Sequence, residues 1–367
     1  MSLSLLVFTS NGPLLDPMRP MRGLEFSTGD HGYEALSVFV PMSLEESFFL
    51  FDRPGLPEVL CKADGITVWQ GRLEDVELDS LAGGVTLQAL GYWRGYVDGP
   101  HTKTYLAGTA QAIVNDLVAT VNALNSFMSA STGLIQNPGV TLKTEIYEDK
   151  LPGEILDRLK NLGDNQTPPR YWEAGVYDDK VLHFRPRGDV ARTWYVDVSA
   201  LQLQRTLETL YNSAYGVYSD PANQRAVTST ASDQPSIDRY GLTRRAAVSV
   251  RTTETAVAEK TRDTFIEDRR NPPARAAITF DRLYDAYGTQ WPNWSPHNAD
   301  TIVMRNLPPT ASVDIDRIRS FRIGQTQYHA GSDTISVTPE ARLPSLIGRP
   351  LVLDIPGSIE LPPLPQS

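Results

Sequence analysis

The sequence predicts a mainly β protein with an α+β insertion, built from two related small β-barrel modules and additional α+β subdomains. Short alternating segments bounded by turn residues fill the first 99 residues, a hairpin pattern recurs near the C-terminus, and helical sequence lies between the two. Several short strands without intervening helices are typical of a small barrel or sandwich. A chain of 367 residues also exceeds the usual size of one hydrophobic core, which indicates two or more subdomains.

The recurring hairpin pattern covers residues 61–93 and 315–340. In both segments an alternating strand with a glycine near its middle leads into a loop of small and turn-forming residues, and a second alternating strand follows. The predicted loops are Leu81–Gly84 in the first copy and Ala330–Asp333 in the second. A hairpin repeated at both ends of one chain, with helical sequence between, indicates two related β modules around an insertion.

The first barrel is predicted over residues 1–99, and nearly all of this segment is predicted to be strand. The N-terminal residues alternate and lack a basic leader, so they indicate a first strand and not a secretory signal. Asp64-Gly65 favours a type I′ turn between two strands of a hairpin. The further strands predicted here are Leu24–Ser27, Leu36–Val40, Ile66–Leu73 and Val85–Leu90.

Residues 100–190 are predicted to form a compact α+β insertion. Thr109 suits an N-cap position, and apolar residues at helical spacing follow it. A second helix is predicted over Pro152–Leu162, because proline is favoured in the first turn of a helix. The insertion is expected to end in a hairpin with the strands Tyr171–Val176 and Val181–Pro186.

Residues 191–270 are predicted to contain strands that return to the β fold and a helix that links to the second barrel. The strands are Trp194–Val198, Ser213–Ser219, Arg225–Thr230 and Ala246–Val250, and the helix over 252–268 is ended by Pro272-Pro273. The second barrel is predicted over 271–356, with the strands Ala276–Phe280, Thr301–Met304, Asp314–Gly324, Thr334–Thr338 and Pro350–Ile355. Residues 357–367 are expected to form a proline-rich tail.

Composition restricts the class of protein. The formal net charge of −10 argues against a dedicated nucleic-acid binder, which would show a basic face. The chain has no run of about 18 apolar residues, so no membrane span is predicted. The single cysteine, Cys61, cannot form an intrachain disulfide or a multi-cysteine metal site, and we expect it to be a small buried residue.

No catalytic, cofactor or metal site is predicted. The five histidines are scattered, and nucleophile-elbow, P-loop and dinucleotide motifs are absent from the sequence. Carboxylate pairs could serve a glycosidase, and the candidates are Glu74 with Asp75 and Glu77, Asp178 with Asp179, Asp281 with Asp285, and Asp314 with Asp316. Trp291 and Trp294 lie in a predicted loop, where exposed rings can stack on sugars or anchor a protein contact, or pack over the core.

The order of these segments resembles that of the baseplate hub (tail hub) proteins of phage tails and related contractile injection machines. The motifs that carry the resemblance are Trp69–Asp75 in the first barrel, Ala110–Leu117 and Leu151–Leu159 in the two helices, Val181–Pro186 in the following strand, Thr206–Tyr218 in the strand that leads into the second barrel, and Phe321–Gly324 with Thr334–Val337 in the closing hairpin.

The resemblance implies a non-enzymatic structural protein of the virion tail, assembled in the host cytoplasm. Three copies of such a chain form a ring, and two similar barrels per chain give this homotrimer pseudo-sixfold symmetry. The ring would join a sixfold tail tube or distal tail protein to a threefold spike or fibre protein around the DNA passage. A tape measure protein is a further expected partner.

Two alternative functions stay open at this point. A distal tail protein or adaptor of the tail tip would also be rich in strands, but it should form a true sixfold ring with one barrel per chain. A glycan-binding or glycan-degrading tail enzyme would use Trp291, Trp294 and a carboxylate pair that includes Asp281 or Asp314.

Overall fold

The computed structural model describes residues 3–9, 12–16, 19–52, 57–125, 127–142, 144–161, 164, 172–186, 191–197, 200–205, 210–222, 224–250, 255–270, 274–298, 300–305 and 320–339. These residues divide into two compact units, one built from 3–204 with 274–339 and the other from 205–270. The finer boundaries at 99, 190, 270 and 356 stay predictions. The strand predicted at Pro350–Ile355, the tail over 357–367 and residues 315–319 of the second hairpin copy lie outside the described residues.

The elements of the N-terminal segment are β1 (Leu3–Thr9), β2 (Gly12–Pro13), β3 (Arg22–Gly29), β4 (Gly32–Pro41), α1 (Leu44–Phe51), β5 (Glu58–Ala63), β6 (Ile66–Asp79) and β7 (Gly84–Gly91). A short 3-10 helix, Tyr92–Tyr96, leads into the insertion. The insertion contains β8 (His101–Tyr105), β9 (Gly108–Thr109), α2 (Ala110–Leu124), β10 (Thr141–Leu142), β11 (Glu145–Lys150), α3 (Pro152–Asn161), β12 (Trp172–Val176) and β13 (Leu182–Pro186).

The chain continues through β14 (Thr193–Val196), β15 (Ala200–Arg205), β16 (Ser213–Ser219), β17 (Arg225–Val227), β18 (Ala231–Ser232), α4 (Gln234–Tyr240), β19 (Arg245–Ser249) and α5 (Thr255–Arg269). The described part of the chain ends with β20 (Ala274–Phe280), β21 (Leu283–Tyr284), β22 (Gln290–Trp291), β23 (Thr301–Met304), β24 (Ser320–His329) and β25 (Thr334–Pro339). The predicted mainly β class with interspersed helices is confirmed.

One large sheet contains the strands of both predicted barrels. Its strands follow the order β1, β5, β6, β7, β4, β3, β24, β25, β20 and β15. The sheet branches at the first half of β24, which pairs with β23. From there the order is β23, β14, β21 and β22. The described strands form no closed barrel. Instead, β3 pairs with β24 and joins the two modules edge to edge. A shared core lies against this sheet and includes Trp69 and Leu87 from the first module and Tyr328 and Val337 from the second.

The repeated hairpins have the same register. In β6–β7, five residue pairs run from Asp79↔Gly84 to Asp75↔Gln88 and are followed by a bulge at Glu74. In β24–β25, five pairs run from His329↔Thr334 to Gln325↔Thr338 and are followed by a bulge at Gly324. His329 and Thr334 therefore follow Asp79 and Gly84 by the same 250 positions (329 − 79 and 334 − 84).

The equivalence extends to the neighbouring strands. β7 pairs with β4 through Leu87↔Val38, and β25 pairs with β20 through the equivalent Val337↔Ile278. β6 pairs with β5 through Arg72↔Glu58, and β24 pairs with β23 through the equivalent Arg322↔Thr301. The four strands β4, β7, β6 and β5 therefore recur in the same order and register as β20, β25, β24 and β23.

The structural alignment of the two hairpins differs slightly from the alignment predicted from the sequence. The first loop is Ser80–Gly83, one residue earlier than predicted, and it corresponds to Ala330–Asp333. The mid-strand glycines are not equivalent, since Gly324 corresponds to Glu74 at the bulge and Gly71 corresponds to Phe321. A bulge needs an extra residue and not a glycine in particular, so the glycine was a misleading guide.

The helix α1 was missed in a segment predicted to be almost all strand. Ser43 and Glu46 form a reciprocal capping box, in which each side chain accepts a hydrogen bond from the other residue's backbone N–H. The spacing Ser-x-x-Glu is a helix-start signal in the sequence, but three phenylalanines follow it, and phenylalanine favours strands. The predicted turn at Asp64-Gly65 is confirmed, with positive φ at both residues.

The insertion packs its own core against the first module. Both predicted helices are confirmed as α2 and α3, and Thr109 caps α2 by accepting a hydrogen bond from Ala112 N at 3.2 Å. The predicted hairpin is confirmed as β12–β13. β12 meets β4 at Val176↔Gly32, where Gly32 has a φ of +96° and a Cβ atom would lie 2.2 Å from Val176 O, so this junction requires glycine.

The second compact unit is a four-stranded sheet with α5 packed against it. The strand β16 pairs antiparallel with β17 and β18 and parallel with β19. This strand lies at the centre of a separate sheet, within the segment 191–270 that the sequence predicts to lead into the second barrel. The small core of this unit consists of Ala214, Val248, Val250, Ala258 and Ile266.

The loop equivalence gives a stability prediction at Gly83, which has a φ of +71° and open space around its Cα. Gly83→Ala should lower the free energy of unfolding by about 1–2 kcal/mol, because alanine is strained at positive φ. Gly83→Asn should cost less, since the equivalent Asp333 adopts a φ of +49°. Urea unfolding measures both changes.

Gly331→Ala is the matched control in the second loop, where no positive φ is required and the space around Cα is also open. Its stability should stay within about 0.5 kcal/mol of the parent protein. An equal loss for Gly83→Ala and Gly331→Ala would contradict the assignment of strain to Gly83.

Candidate assembly surface

An exposed aromatic surface lies on α1. Ser47 and Leu50 are the buried residues of this helix, whereas Leu44, Phe48, Phe49 and Phe51 are each more than half exposed, from 54% to 59%. Isolated apolar residues on a protein surface are ordinary, but Leu44, Phe48 and Phe51, spaced i, i+4 and i+7, share one side of the helix and form an apolar patch, with Phe49 exposed on another side. Such patches mark protein–protein contacts in soluble proteins.

The start of α1 is fixed by charge as well as by its capping box. Arg19 Nη2 lies 2.5 Å from Glu46 Oε1, and Ser43 N donates to Glu46 Oε2 at 3.0 Å. The hydrogen bond from Arg19, with those from Ser43, lowers the pKa of Glu46 to about 2. The carboxylate therefore stays charged at neutral pH, beside the positive end of the helix dipole.

The patch borders one edge of the sheet. A shallow hollow is lined by Phe48 and Phe51 of α1 and by the consecutive residues Asp75, Val76, Glu77 and Leu78 of β6. Side chains of consecutive strand residues point to opposite faces, so a hollow lined by all four runs along the edge of the strand. Among the described strands, β7 alone pairs with this half of β6.

Three of the carboxylates considered as members of catalytic pairs, Glu74, Asp179 and Asp285, are held in structural contacts, whereas Asp75 and Glu77 line the hollow at the β6 edge. Glu74 pairs with Arg72, whose Nη1 also donates to Asp98 at 2.7 Å, and Asp179 accepts from His183 Nε2 at 2.7 Å. Asp314 and Asp316 lie outside the described residues.

Trp291 and Asp285 are engaged with each other. Trp291 Nε1 donates to Asp285 Oδ2 at 3.1 Å, and this hydrogen bond lowers the pKa of Asp285. The Trp291 ring is 37% exposed and meets Trp194 edge to face at 5.7 Å, with the Arg192 guanidinium over both rings. Trp294 packs against the main core. Arg192 and Trp194 complete this cluster. The sequence did not predict their contact with Trp291, because about 100 residues separate them from it.

Asp300 organises the strand beneath this cluster. It is buried and accepts from Trp194 Nε1 at 2.7 Å, Arg192 N at 2.8 Å and His297 N at 3.1 Å. A buried carboxylate with three donors is a structural anchor.

The remaining histidines and Cys61 occupy ordinary structural positions. His101 hydrogen-bonds Tyr105 Oη at 2.8 Å, and His329 lies 3.0 Å from Glu25. Burial raises the pKa of the Cys61 thiol to about 12, so it is an unreactive core residue. Within the described residues, no three His, Cys, Asp or Glu side chains are grouped so that they could hold a metal ion. None of the described helices is long and apolar enough to cross a membrane.

Partly buried polar contacts join the insertion to the sheet. Asp157 of α3 hydrogen-bonds His31 Nε2 at 2.9 Å and lies 2.8 Å from Lys160 Nζ. The His31 ring stacks on Trp93 at 4.1 Å. Burial would raise the pKa of Asp157, but the hydrogen bond with His31 and the charge of Lys160 outweigh it and lower the pKa.

A second contact of this kind joins the β12–β13 turn to the first module. Lys180 Nζ lies 2.7 Å from Glu58 Oε2 and over the Tyr92 ring, and the Tyr92 hydroxyl donates to the same carboxylate. Gln70 Nε2 donates to Tyr92 Oη at 2.9 Å. Glu58 therefore has three partners that join the turn to the first module.

Comparison with solved structures identifies the fold. The chain superimposes on the 43 kDa tail protein of prophage MuSo2 from Shewanella oneidensis with a TM-score of 0.64 and 11% identity, covering 94% of this chain and 99% of that one. The tail protein from Neisseria meningitidis MC58 gives 0.59 at 9% identity, covering 92% and 96%. Prophage tail protein gp18 from Listeria monocytogenes EGD-e gives 0.54 at 11% identity, covering 94% and 96%.

The chain therefore has the fold of these phage tail proteins over nearly its full length, as the resemblance in the sequence implied. No family model matches the chain, and no curated protein matches it in sequence. The shared feature is the three-dimensional arrangement, since about one residue in ten is identical.

The contacts of Asp157 predict a pH-dependent stability. Asp157→Asn should lower the free energy of unfolding by about 1–2 kcal/mol at pH 7, because Lys160 is buried and loses its nearest carboxylate. A depressed folded-state pKa stabilises the protein above the unfolded pKa of about 3.9, and this stabilisation is lost as the pH falls through the folded value. The difference between the two proteins should therefore shrink below about pH 4.

The control is Glu148→Gln, at an exposed carboxylate of the same insertion, which should leave stability and its pH dependence unchanged. Denaturant unfolding from pH 7 to pH 3 makes the comparison. A constant difference between the Asp157→Asn variant and the parent protein across this range would contradict the role of the charge.

Proposed function

We propose that this chain is a non-enzymatic structural protein of a phage-type virion tail, and that three copies form the hub at the tail tip. Each copy supplies two related β modules, so that three copies present six equivalent positions to a sixfold tail tube or distal tail protein. The other face of the ring would hold a threefold spike or fibre protein. The tape measure protein is a further partner, and assembly takes place in the host cytoplasm.

The observation that carries this proposal is the repeat of four strands in one register, with β3 and β24 pairing between the modules. A register shared over two hairpins and their neighbouring strands supports duplication of a whole module. A head-to-tail contact between equivalent modules can continue from copy to copy and close into a ring. The likeness in fold to phage tail proteins supports the same conclusion.

The net charge of −10 suits a passage for DNA, because like charge suppresses adhesion of the polyanion. The ring would therefore surround the passage without binding nucleic acid specifically.

The two alternatives receive less support. A distal tail protein or adaptor with one module per chain would not need the internal repeat. A glycan-degrading enzyme based on Asp281 with Asp285 would need a free carboxylate at Asp285, but this group accepts from Trp291 Nε1 and from the backbone N–H groups of Tyr287 and Thr289.

The proposed copy number can be measured directly. Native mass measurement of the purified protein, at concentrations that favour assembly, should give three times the chain mass of 40.6 kDa. Electron microscopy down the axis of an assembled tail should show three copies with six similar density lobes. A six-copy ring, or a single copy inside the particle, would overturn the proposal.

A further inference from the structure

The second half of β24 is covered on both edges. On one side it pairs with β25, and on the other it pairs antiparallel with β3 from Thr326↔Thr28 to His329↔Glu25. The hydroxyls of Thr28 and Thr326 lie 2.7 Å apart, buried in this ladder. The side chains of Thr326 and Tyr328 are almost completely buried, with 2% and 0% exposed.

The equivalent half of β6 lacks this second partner in the described part of the chain. Asp75–Asp79 corresponds to Gln325–His329 by the shift of 250 positions established from the hairpins. Val76 and Leu78, the counterparts of Thr326 and Tyr328, are only half-buried. The hollow beside α1 runs along this edge, at the position equivalent to that of β3 beside β24.

The repeat also identifies the strand that belongs there. β3 pairs with β4, and the counterpart of β4 is β20, which pairs with β15. The counterpart of β3 is therefore β15, Ala200–Arg205. We infer that β15 of a second copy of this chain pairs antiparallel with Asp75–Asp79 of β6, beneath the exposed aromatic residues of α1. This inference rests on the proposed ring and names the contact that closes it.

Charge favours this occupant over a second β6 edge. If two such edges met antiparallel about Glu77, Glu77 would face its own copy and Asp75 would face Asp79, and like charges opposite each other destabilise a ladder. β15 has the sequence ALQLQR, without an acidic residue and with Arg205 at its end. The contact is therefore heterologous, with β6 of one copy joined to β15 of the next, as a ring requires.

Disulfide trapping tests the pairing. Glu77→Cys is co-expressed with one of four partners, Leu201→Cys, Gln202→Cys, Leu203→Cys or Gln204→Cys, and the oxidised protein is analysed under denaturing conditions. Strand partners approach to about 4.5–5.5 Å between Cα atoms, within reach of a disulfide. Alternate positions of β15 should give a cross-linked dimer at several times the yield of the others. Glu148→Cys, an exposed residue of β11, is the control partner for Glu77→Cys and should give none.

A second measurement uses the apolar patch. The double variant Phe48→Asp/Phe51→Asp should raise the concentration needed for half-assembly by about 30-fold or more, as expected when central aromatic contacts are lost. Ile146→Asp, at a residue of β11 with 63% exposure, is the matched control and should leave assembly unchanged. Circular dichroism and the melting temperature establish that each variant is folded.

The outcomes separate this inference from the proposed function. Trimers that form without a cross-link at any of the four β15 positions, or that withstand the Phe48→Asp/Phe51→Asp change, would overturn the β6–β15 contact and leave the hub proposal standing. A cross-link between two Glu77→Cys copies would show that β6 pairs with the β6 edge of a second copy instead of with β15. A parent protein that never associates would overturn both.

Discussion

The ladder between β3 and β24 is the constraint on which the rest of the structure depends. It joins residues 298 positions apart, such as Thr28 and Thr326, and it turns two repeats into one sheet. Phe26 of β3 packs on Tyr328 of β24 at 5.1 Å between ring centroids, so the two modules also share their core. The insertion and the small second unit are excursions of the chain between strands whose places this pairing fixes.

The polar residues at the junctions follow from this architecture. An insertion that leaves and rejoins a sheet brings its turns and helix ends against strands, where buried backbone and side-chain groups need partners. Glu58, Asp157 and Asp300 satisfy such groups, each with more than one hydrogen-bonded or charged neighbour. These three carboxylates therefore serve as structural contacts between segments of the chain.

Local signals in the sequence were sufficient for most elements. Asp64-Gly65, Thr109 and Pro152 marked a turn and two helix starts correctly, because each acts through its own backbone geometry. The helix α1 was not predicted, although Ser43 and Glu46 have the spacing of a capping box. The aromatic residues that follow them are typical of a strand. Those residues also form the candidate assembly surface. The segment whose local sequence favours a strand but which forms a helix is therefore also the candidate site.

Non-local features could not be read from the pattern. The repeat was visible, but its true alignment depends on which residue occupies the bulge, Glu74 or Gly324. The assignment of Ser213–Ser219 to a separate sheet depends on pairing partners that alternation does not specify. The β3–β24 ladder, and with it the contrast between a covered and an open edge, appears only once both modules are in place.

The sequence separation across that ladder also sets an order of events during synthesis. At about 5–20 residues per second, a ribosome completes β3 on the order of 15–60 s before it completes β24, and the edge of β3 stays open throughout. Contacts between distant segments close slowly because the entropy of the intervening loop must first be lost. A chain cut short before β24 would keep a second open edge and lack the shared core, so premature termination would yield a product prone to aggregation and unable to take part in ordered assembly. Synthesis of β24 is therefore a precondition both for covering the edge of β3 and for completing the shared core.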